Sequence, residues 1–398
     1  MAITDSTTSL ENQVATATER LVNEHDPKDA VAFLGAQYDV GLAWVHFPIG
    51  YGGLGAAPRL QKAVQERIAE VGGPQAVPRN PLGIGMGGPV VVTYGTEAQK
   101  QRWLRPMFTA EEFWCQLFSE PGAGSDLAAA STRAVADGGQ WVVNGQKVWN
   151  SGAHLARWGM LVARTDPQQP KHNGLTYFIV DMQSPGVEVR PLRQMTGQAE
   201  FNEVYFTDAH IPDDNRMGNV GDGWRVSLTT LMNERVMIGG GIPQRGDGTI
   251  KRAVDAWQNS TSRGDTAVKD DLMKLWVEAE VGRLTNWRAS QLRASGNPGP
   301  EGSVGKVVAA KLNQRISSFV MNLLGAEGML YPGGYDLGRG KGLAMMRQPD
   351  HMFFLRSRAN SIEGGTSEIM RNIIGERVLG LPGEPRIDKD VPWVDVPR

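Results

Sequence analysis

Residues 116–126 read QLFSEPGAGSD and combine a short apolar run with proline, glycine and hydroxyl residues. Pro121 fixes its own φ and lacks a backbone donor, whereas Gly122 and Gly124 permit turns that a side chain would forbid. Such a loop brings backbone N–H groups and serine hydroxyls close to a ligand. An isolated Pro-Gly-x-Gly is more often an ordinary surface turn, so the interpretation depends on the rest of the chain.

Two further stretches of the chain share this mixture of polar residues and glycine. Residues 147–152 read KVWNSG, and residues 363–368 read EGGTSE. The first of them follows the apolar residues 141–143 and the dipeptide Asn144-Gly145, a pattern that predicts a β-hairpin turning at Asn-Gly. Three such stretches in one chain indicate that they contribute to a single ligand pocket.

The composition is that of an ordinary globular protein. The chain has 398 residues, 40% hydrophobic and 21% charged, which allows two or three domains. A net charge of −2 provides no basic field, so we expect no nucleic-acid partner. No apolar run resembles a signal peptide or is long enough to cross a bilayer. The single cysteine, Cys115, is expected to be a buried thiol, which suits a cytoplasmic location. Without His-Glu-x-x-His or paired cysteines, no metal site is expected.

The hydrophobic pattern changes twice along the chain and predicts an α+β multidomain fold. Residues 1–112 have helical periodicity and form an N-terminal helical domain. Residues 113–223 alternate between strand and turn signals, which predicts a central β-sandwich or barrel. Residues 224–381 are again helical, and the proline-rich residues 382–398 are expected to be an extended tail. Residues 83–88 match G-x-G-x-x-G, but they come after Arg79-Asn80-Pro81 rather than after a strand, so we interpret them as tight helix packing.

At this point the chain resembles the acyl-CoA dehydrogenase family over almost its full length. The S/T-E-P-x-A-G-S-D loop of that family is matched by residues 119–126. Its Trp-x-Ser/Thr strand end is matched by residues 149–151, and its G-T-S-x-I-x-R run by residues 365–371. The resemblance implies an N-terminal helical domain, a central β-domain and a C-terminal four-helix bundle. It also implies tetramers, or dimers of dimers.

The resemblance further implies noncovalently bound FAD, with the flavin ring between the β-domain and the C-terminal bundle. Ser151 would donate toward the ring, Thr366 and Glu368 would meet the ribityl–pyrophosphate region, and Ser125 would touch the CoA side of the substrate. By motif position, the cofactor would be contacted by Gln116, Phe118, Ser119, Trp149, Ser151, Thr366 and Glu368.

The reaction implied by the resemblance is α,β-dehydrogenation of an acyl-CoA thioester in fatty-acid or steroid side-chain β-oxidation. A carboxylate base removes the α-proton, and a hydride leaves Cβ for flavin N5. In most members of the family the base directly precedes the G-T-S run, but Gly364 stands there in this chain. Isovaleryl- and long-chain-type members place it before an arginine on the first long C-terminal helix, which matches Glu234-Arg235. We therefore favour Glu234 as the base over Glu363, with Arg235 near the pantetheine or the CoA phosphates.

Two segments that reach the FAD of a neighbouring subunit in the family are altered here. No Arg-x-x-Phe-Gly is present, and the family's Gln-x-x-Gly-Gly-x-Gly is reduced to residues 322–328, NLLGAEG. The chain therefore forms either a homo-oligomer with looser FAD binding or a heteromer with fewer flavins than subunits. Heteromers of the second kind occur in the actinobacterial branch that handles steroid side-chain CoA thioesters, and residues 386–393, RIDKDVPW, are similar to that branch.

Three functions stay open from the sequence. The first is an FAD-dependent acyl-CoA dehydrogenase that passes electrons to an electron-transfer flavoprotein. The second is a non-catalytic or half-site partner subunit of a heteromeric dehydrogenase. The third is a flavin oxidase or monooxygenase on the same fold, because the usual base before the G-T-S run is missing.

Overall fold

The computed structural model describes residues 2–239, 242–294, 301–331 and 348–397. The chain forms two compact units. The first comprises Met1–Arg190, Phe201–Asn233 and Asp388–Arg398, and the second comprises Pro191–Glu200 and Glu234–Ile387. The first unit contains the N-terminal helices and the β-sheet, and the second contains the C-terminal helices.

The first unit begins with a group of helices, as the hydrophobic periodicity predicts. The apolar faces of the first three share a core that includes Leu21, Phe33, Val64 and Ile68, each at most 2% exposed. The helices are α1 (Ala2–Glu24), α2 (Ala30–Asp39), α3 (Leu60–Glu70), α4 (Gly88–Tyr94) and α5 (Glu97–Phe108).

The glycine-rich residues 83–88 serve helix packing, as predicted. Gly83–Gly87 form a π-helical turn that runs directly into α4. A Cβ on Gly88 would lie 2.8 Å from Cζ2 of Trp44, and a Cβ on Gly87 would crowd Met107 and Trp114 at 3.2 Å. The absence of side chains therefore lets aromatic rings approach the helix backbone closely.

A mixed β-sheet follows, in which buried aliphatic and aromatic residues from several strands share one core. The order of its strands is β6-β7-β3-β2-β4-β5-β8, and β1 pairs in parallel with β4 off this path. The strands are β1 (Trp114–Leu117), β2 (Arg133–Asp137), β3 (Gln140–Lys147), β4 (Trp158–Arg164), β5 (Leu175–Asp181), β6 (Val187–Leu192), β7 (Phe201–Pro212) and β8 (Arg216–Met217). The strand character predicted for this part of the chain is thus confirmed.

The hairpin turn predicted at Asn144-Gly145 is wrong. The turn between β2 and β3 lies at Gly138 and Gly139, which have φ values of +55° and +89°. Strand β3 continues through Asn144-Gly145, where its pairing with β7 contains a β-bulge. Gly145 is required there because its φ is +152° and a Cβ would lie 2.6 Å from Oγ1 of Thr132. The long pairing with β7 thus overrides the local turn preference of the dipeptide.

The second unit is helical, as predicted. Helix α6 (Gly223–Gly239) contributes its residues from Glu234 onward. The core of the second unit includes Ile250, Leu272, Ile316 and Val320. The remaining helices are α7 (Thr249–Gln258), α8 (Thr266–Ala294), α9 (Glu301–Leu324), α10 (Asp350–Ser357) and α11 (Ser367–Ile373). Within the described ranges, no helix has the length and apolar character needed to cross a membrane.

The C-terminal tail differs from the expected extended arm. Its residues from Asp388 onward belong to the first unit, where Pro392 forms a β-bridge with Pro170. The indole nitrogen of Trp393 donates to the carbonyl of Ala129 at 3.2 Å. The ring of Trp393 also lies 4.7 Å from the guanidinium of the buried Arg164. This cation–π contact anchors the segment, and the composition of the tail does not reveal it.

Candidate functional site

The loop formed by residues 119–126 is closed on itself and fixed to the end of β3. Glu120 and Ala123 exchange backbone hydrogen bonds of 3.0 and 3.1 Å across the loop. The N–H of Val148 donates to the carbonyl of Ser119 at 2.9 Å, which joins the first motif to the second. Open space surrounds the two glycines of the tip, since a Cβ on either would meet nothing within 4 Å.

A buried ion pair lies beneath this junction. Nζ of Lys147 donates to Oε1 of Glu120 at 2.8 Å and to the carbonyl of Phe118 at 2.9 Å. The carboxylate also accepts from the N–H and hydroxyl of Ser131 and from the N–H of Thr132, at 2.7 to 2.9 Å. Burial alone would raise the pKa of Glu120, but Lys147 and these donors outweigh it and lower that pKa to about 2. Burial lowers the pKa of Lys147 against the opposing effect of Glu120. Because the carboxylate has so many donors, we take the pair as ionised at neutral pH.

Asn150 ties the second motif to two neighbouring segments. Its side-chain amide donates to the carbonyl of Gln116 at 2.8 Å. Its backbone N–H donates to the carbonyl of Asn202 at 3.0 Å, and the amide of Asn202 donates back to the carbonyl of Asn150 at 2.9 Å. Oδ1 of Asn150 is buried, and no described residue donates to it. A buried acceptor of this kind calls for an explanation, and a bound group is one.

Trp149 has an unusual backbone conformation at the surface. Its φ is +63°, and 57% of the residue is exposed. The rings of Trp149 and Phe201 pack edge to face, with their centroids 5.8 Å apart. A left-handed conformation at a non-glycine residue costs of order 1–3 kcal/mol and is concentrated at functional sites. Ser151, half-buried, follows two residues later. The end of β3 therefore presents an aromatic face and a hydroxyl next to the loop.

The structure thus brings five of the predicted cofactor residues into one region of the first unit. Phe118 contributes its backbone to this region rather than its ring, because the residue is only 4% exposed and the ring packs edge-on against Tyr177. Gln116 is at the end of β1 and, like Ser119, is half-buried. Ser125 is exposed in the loop. Cys115 is fully buried, and burial raises the pKa of its thiol, so it is an inert core residue, as predicted.

The third motif lies in the second unit, at the start of α11. Thr366 caps this helix by accepting a 3.2 Å hydrogen bond from the N–H of Ile369. Nζ of Lys306 donates to the carbonyl of Gly365 at 2.5 Å, and burial lowers the pKa of this lysine. The side chain of Glu368 is 75% exposed and pairs with Arg371 at 3.1 Å. The motif therefore places a hydroxyl, a carboxylate and a nearby lysine at one helix start.

The two candidate bases have different surroundings. Both oxygens of Glu363 accept from Arg356, at 2.6 and 3.0 Å, and one also accepts from the amide of Asn360 at 2.8 Å. Glu234 lies on α6 and is half-buried. Arg235 follows it on the same helix, but its side chain lies outside the described part of the structure.

The sequence reasoning missed several residues that hold these motifs in place. One signal for Lys147 was available, because it shares the buried face of β3 with Trp141 and Val143 and therefore needs a buried acceptor. Glu120 lies inside the recognised motif and carries the only charge between Ser119 and Ser125. No local pattern pointed to the pairing of Asn150 with Asn202.

Comparison with known proteins agrees with this architecture. Family models match three consecutive parts of the chain: the acyl-CoA dehydrogenase N-terminal domain over residues 6–111, the middle domain over 115–209 and the C-terminal domain over 221–379. The chain is 37% identical over 352 residues to acyl-CoA dehydrogenase IpdE1 of Mycobacterium tuberculosis (strain ATCC 25618 / H37Rv), covering 87% of this chain and 86% of that protein.

Acyl-CoA dehydrogenase FadE34 of the same organism is 39% identical over 349 residues, covering 86% of this chain. The match spans only 45% of the length of FadE34. Among solved structures, the ChsE4-ChsE5 complex from Mycobacterium tuberculosis matches with 26% identity and a TM-score of 0.68, over 95% of this chain and 97% of that one. The chain belongs to the acyl-CoA dehydrogenase family of oxidoreductases and has its three-domain fold.

Proposed function

We propose that the chain is an FAD-dependent dehydrogenase that introduces an α,β double bond into an acyl-CoA thioester, with the acyl group derived from a fatty acid or a steroid side chain. The observation that carries this proposal is the junction of two family motifs in the first unit. The buried Lys147–Glu120 pair and the Asn150–Asn202 hydrogen bonds fix the 119–126 loop beside the strained, exposed Trp149.

The residues present fit a bound flavin nucleotide. Trp149 offers an exposed aromatic face, and Oδ1 of Asn150 and Oγ of Ser367 are buried without a partner among the described residues. FAD, when bound, supplies the acceptor for the hydride from Cβ. Gln116, Ser119, Trp149 and Ser151, with the backbone of Phe118, would hold and orient the ring. Thr366 and Glu368 would meet the ribityl–pyrophosphate region, where Lys306 supplies the positive charge that a pyrophosphate requires.

Glu234 is the proposed base for the α-proton. The choice follows the Glu-Arg order of residues 234–235, which matches the isovaleryl- and long-chain-type members of the family. The oxygens of Glu363 accept from Arg356 and Asn360, and protonating it would weaken that ion pair. In this proposal Arg235 and Ser125 contact the CoA part of the substrate, which holds the thioester in place for proton removal.

An oligomer is part of the proposal, with an electron-transfer flavoprotein as the electron acceptor. Helix α8 carries apolar residues at helical spacing along one face, each 44% to 57% exposed. They are Met273, Val277, Val281, Leu284 and Trp287. A second chain of the same fold would cover this face.

A half-site partner subunit is the second candidate function. The ChsE4-ChsE5 structure, which matches at 26% identity, is a complex of two different chains. The reduced glycine motif at residues 322–328 fits the same interpretation, because it removes a segment that contacts a neighbour's cofactor in the family. In a heteromer of this kind, the related chain would supply the missing contacts.

The flavin absorbance of the purified protein tests both candidates. For a dehydrogenase we expect a yellow protein with about one flavin per chain, bleached under anaerobic conditions by one member of a panel of acyl-CoA thioesters. A half-site subunit would instead purify with little flavin and gain it on co-expression with a related chain. A flavin that no thioester bleaches, combined with steady oxygen consumption on other substrates, would contradict both.

A further inference from the structure

Lys171 links the candidate substrate loop to the C-terminal tail. Its ammonium lies 2.7 Å from a carboxylate oxygen of Asp126, the last residue of the 119–126 loop. It also lies 2.5 Å from a carboxylate oxygen of Asp388, at the start of the tail segment 388–397. The lysine side chain is only 10% exposed, whereas the side chains of Asp126 and Asp388 are 54% and 23% exposed, so the bridge is buried on its lysine side. Two elements far apart in sequence therefore share one cation.

The same tail segment holds the residues that follow the loop. Arg164, only 2% exposed, donates from Nη2 to the carbonyls of Ala128 and Ala130 at 2.5 and 3.1 Å. Trp393 covers the guanidinium of Arg164 at 4.7 Å and donates its indole N–H to the carbonyl of Ala129 at 3.2 Å. Residues 128–130 are therefore held between a buried arginine and the tail tryptophan.

These contacts complete the anchoring of the loop at both ends. At its beginning, Glu120 is fixed by Lys147, and at its end, Asp126 is fixed by Lys171. Between them, Ala123 is 3% exposed and exchanges backbone hydrogen bonds with Glu120, whereas a Cβ on Gly122 or Gly124 would meet open space. Residues 124–126 are exposed, so the second half of the loop depends on the anchor at Asp126. Losing one anchor adds conformational freedom that a ligand must remove on binding.

We propose that the tail segment 388–397 positions the 119–126 loop for the CoA part of the substrate, and that Lys171 is the positioning residue that connects the two. The inference deepens the proposed function and rests on it for the identity of the ligand. Lys171 acts through Asp126 and touches no reacting group. The expected effect is therefore on affinity for CoA and on the order of the loop, while the flavin-to-chain ratio stays unchanged.

Four variants test this inference. Lys171→Met removes the bridge and keeps the tail, and a chain that ends at Ile387 removes the tail. Lys171→Arg keeps a cation at this position. Asp390→Asn is the matched control, because Asp390 is exposed in the same tail and no described residue forms a hydrogen bond or ion pair with its side chain. Two quantities are measured for each: amide hydrogen exchange and the affinity for free CoA by titration calorimetry.

For Lys171→Met and the truncated chain, we expect faster exchange confined to residues 121–130 and a CoA affinity lowered about fivefold or more. Exchange in β5 should match the wild type, which shows that the fold is intact. Lys171→Arg and Asp390→Asn should behave like the wild type. The inference is overturned if amide exchange in residues 121–130 is as slow in both Lys171→Met and the truncated chain as in the wild type. An unchanged CoA affinity in these two variants would overturn it as well. If the wild type itself binds no CoA, the proposed function fails, and the exchange data still decide whether the tail holds the loop.

Discussion

Nζ of Lys147 lies 2.8 Å from Oε1 of Glu120, and the two side chains are 0% and 4% exposed. This pair joins the first family motif to the second, since the glutamate belongs to the 119–126 loop and the lysine ends β3. A buried pair is costly to desolvate, and replacing both partners by apolar residues is often harmless. Its position beneath the candidate flavin site indicates that its role is to set the geometry of that site.

Breaking this pair should destabilise the protein strongly. We expect Glu120→Gln and Lys147→Met each to lower the free energy of unfolding by about 3–5 kcal/mol, because each leaves one charge buried without its partner. The double variant should lose less free energy of unfolding than the sum of the losses in the two single variants. Urea unfolding measures these changes. Glu188→Gln, which breaks an exposed pair with Arg190, is the control and should cost at most about 1 kcal/mol. A Glu120→Gln variant as stable as that control would contradict the prediction.

The same pair predicts how stability depends on acid. The pKa of Glu120 is lowered from its ordinary value of 4.5 to about 2 in the folded protein. The unfolded chain therefore binds the proton first, and the stabilisation present above pH 4.5 is lost as the pH falls toward about 2. The difference in urea midpoint between wild type and Glu120→Gln should narrow across this window. The pKa of Asp213 is also lowered to about 2, but Asp213 is present in both proteins and therefore does not change the difference between them. A constant difference across the window would refute the assignment to Glu120.

The sequence predicts those features that depend on burial periodicity or on a recognisable motif. The helices, the strand-rich centre and the loop at residues 119–126 all follow from such signals. Asn144-Gly145 shows the limit, because a dipeptide with strong turn preference lies inside a strand once β7 pairs along it. The Lys147–Glu120 pair joins residues 27 apart, and the contact between Trp393 and Arg164 joins the tail to the sheet. Contacts of this kind depend on tertiary packing, which no local pattern records.

The choice of base gives a kinetic prediction. We expect Glu234→Gln to slow reduction of the flavin by an acyl-CoA thioester about 10²–10⁴-fold, because the amide cannot accept the α-proton. Glu363→Gln should leave this rate of the same order as in the wild type, since its carboxylate is engaged by Arg356. Anaerobic stopped-flow absorbance compares the two variants, each with its flavin content measured first. The opposite ranking would assign the base to Glu363.

The apolar face of α8 predicts how the protein assembles. Val281 lies midway along the length of this face and is 57% exposed, and Val277 and Leu284, on either side of it in sequence, are 53% and 44% exposed. Globular proteins rarely leave a cluster of large apolar side chains such as this open to water, so a second chain should cover it. We expect Val281→Arg to lower the mass measured by light scattering after size exclusion, because the guanidinium would be buried without a partner.

Asp271→Arg places the same side chain at an exposed position of α8 away from this face and should leave the mass unchanged. If the neighbouring chain also contacts FAD, the flavin content should fall together with the mass in Val281→Arg alone. A Val281→Arg variant of unchanged mass would show that the contacts between chains lie elsewhere.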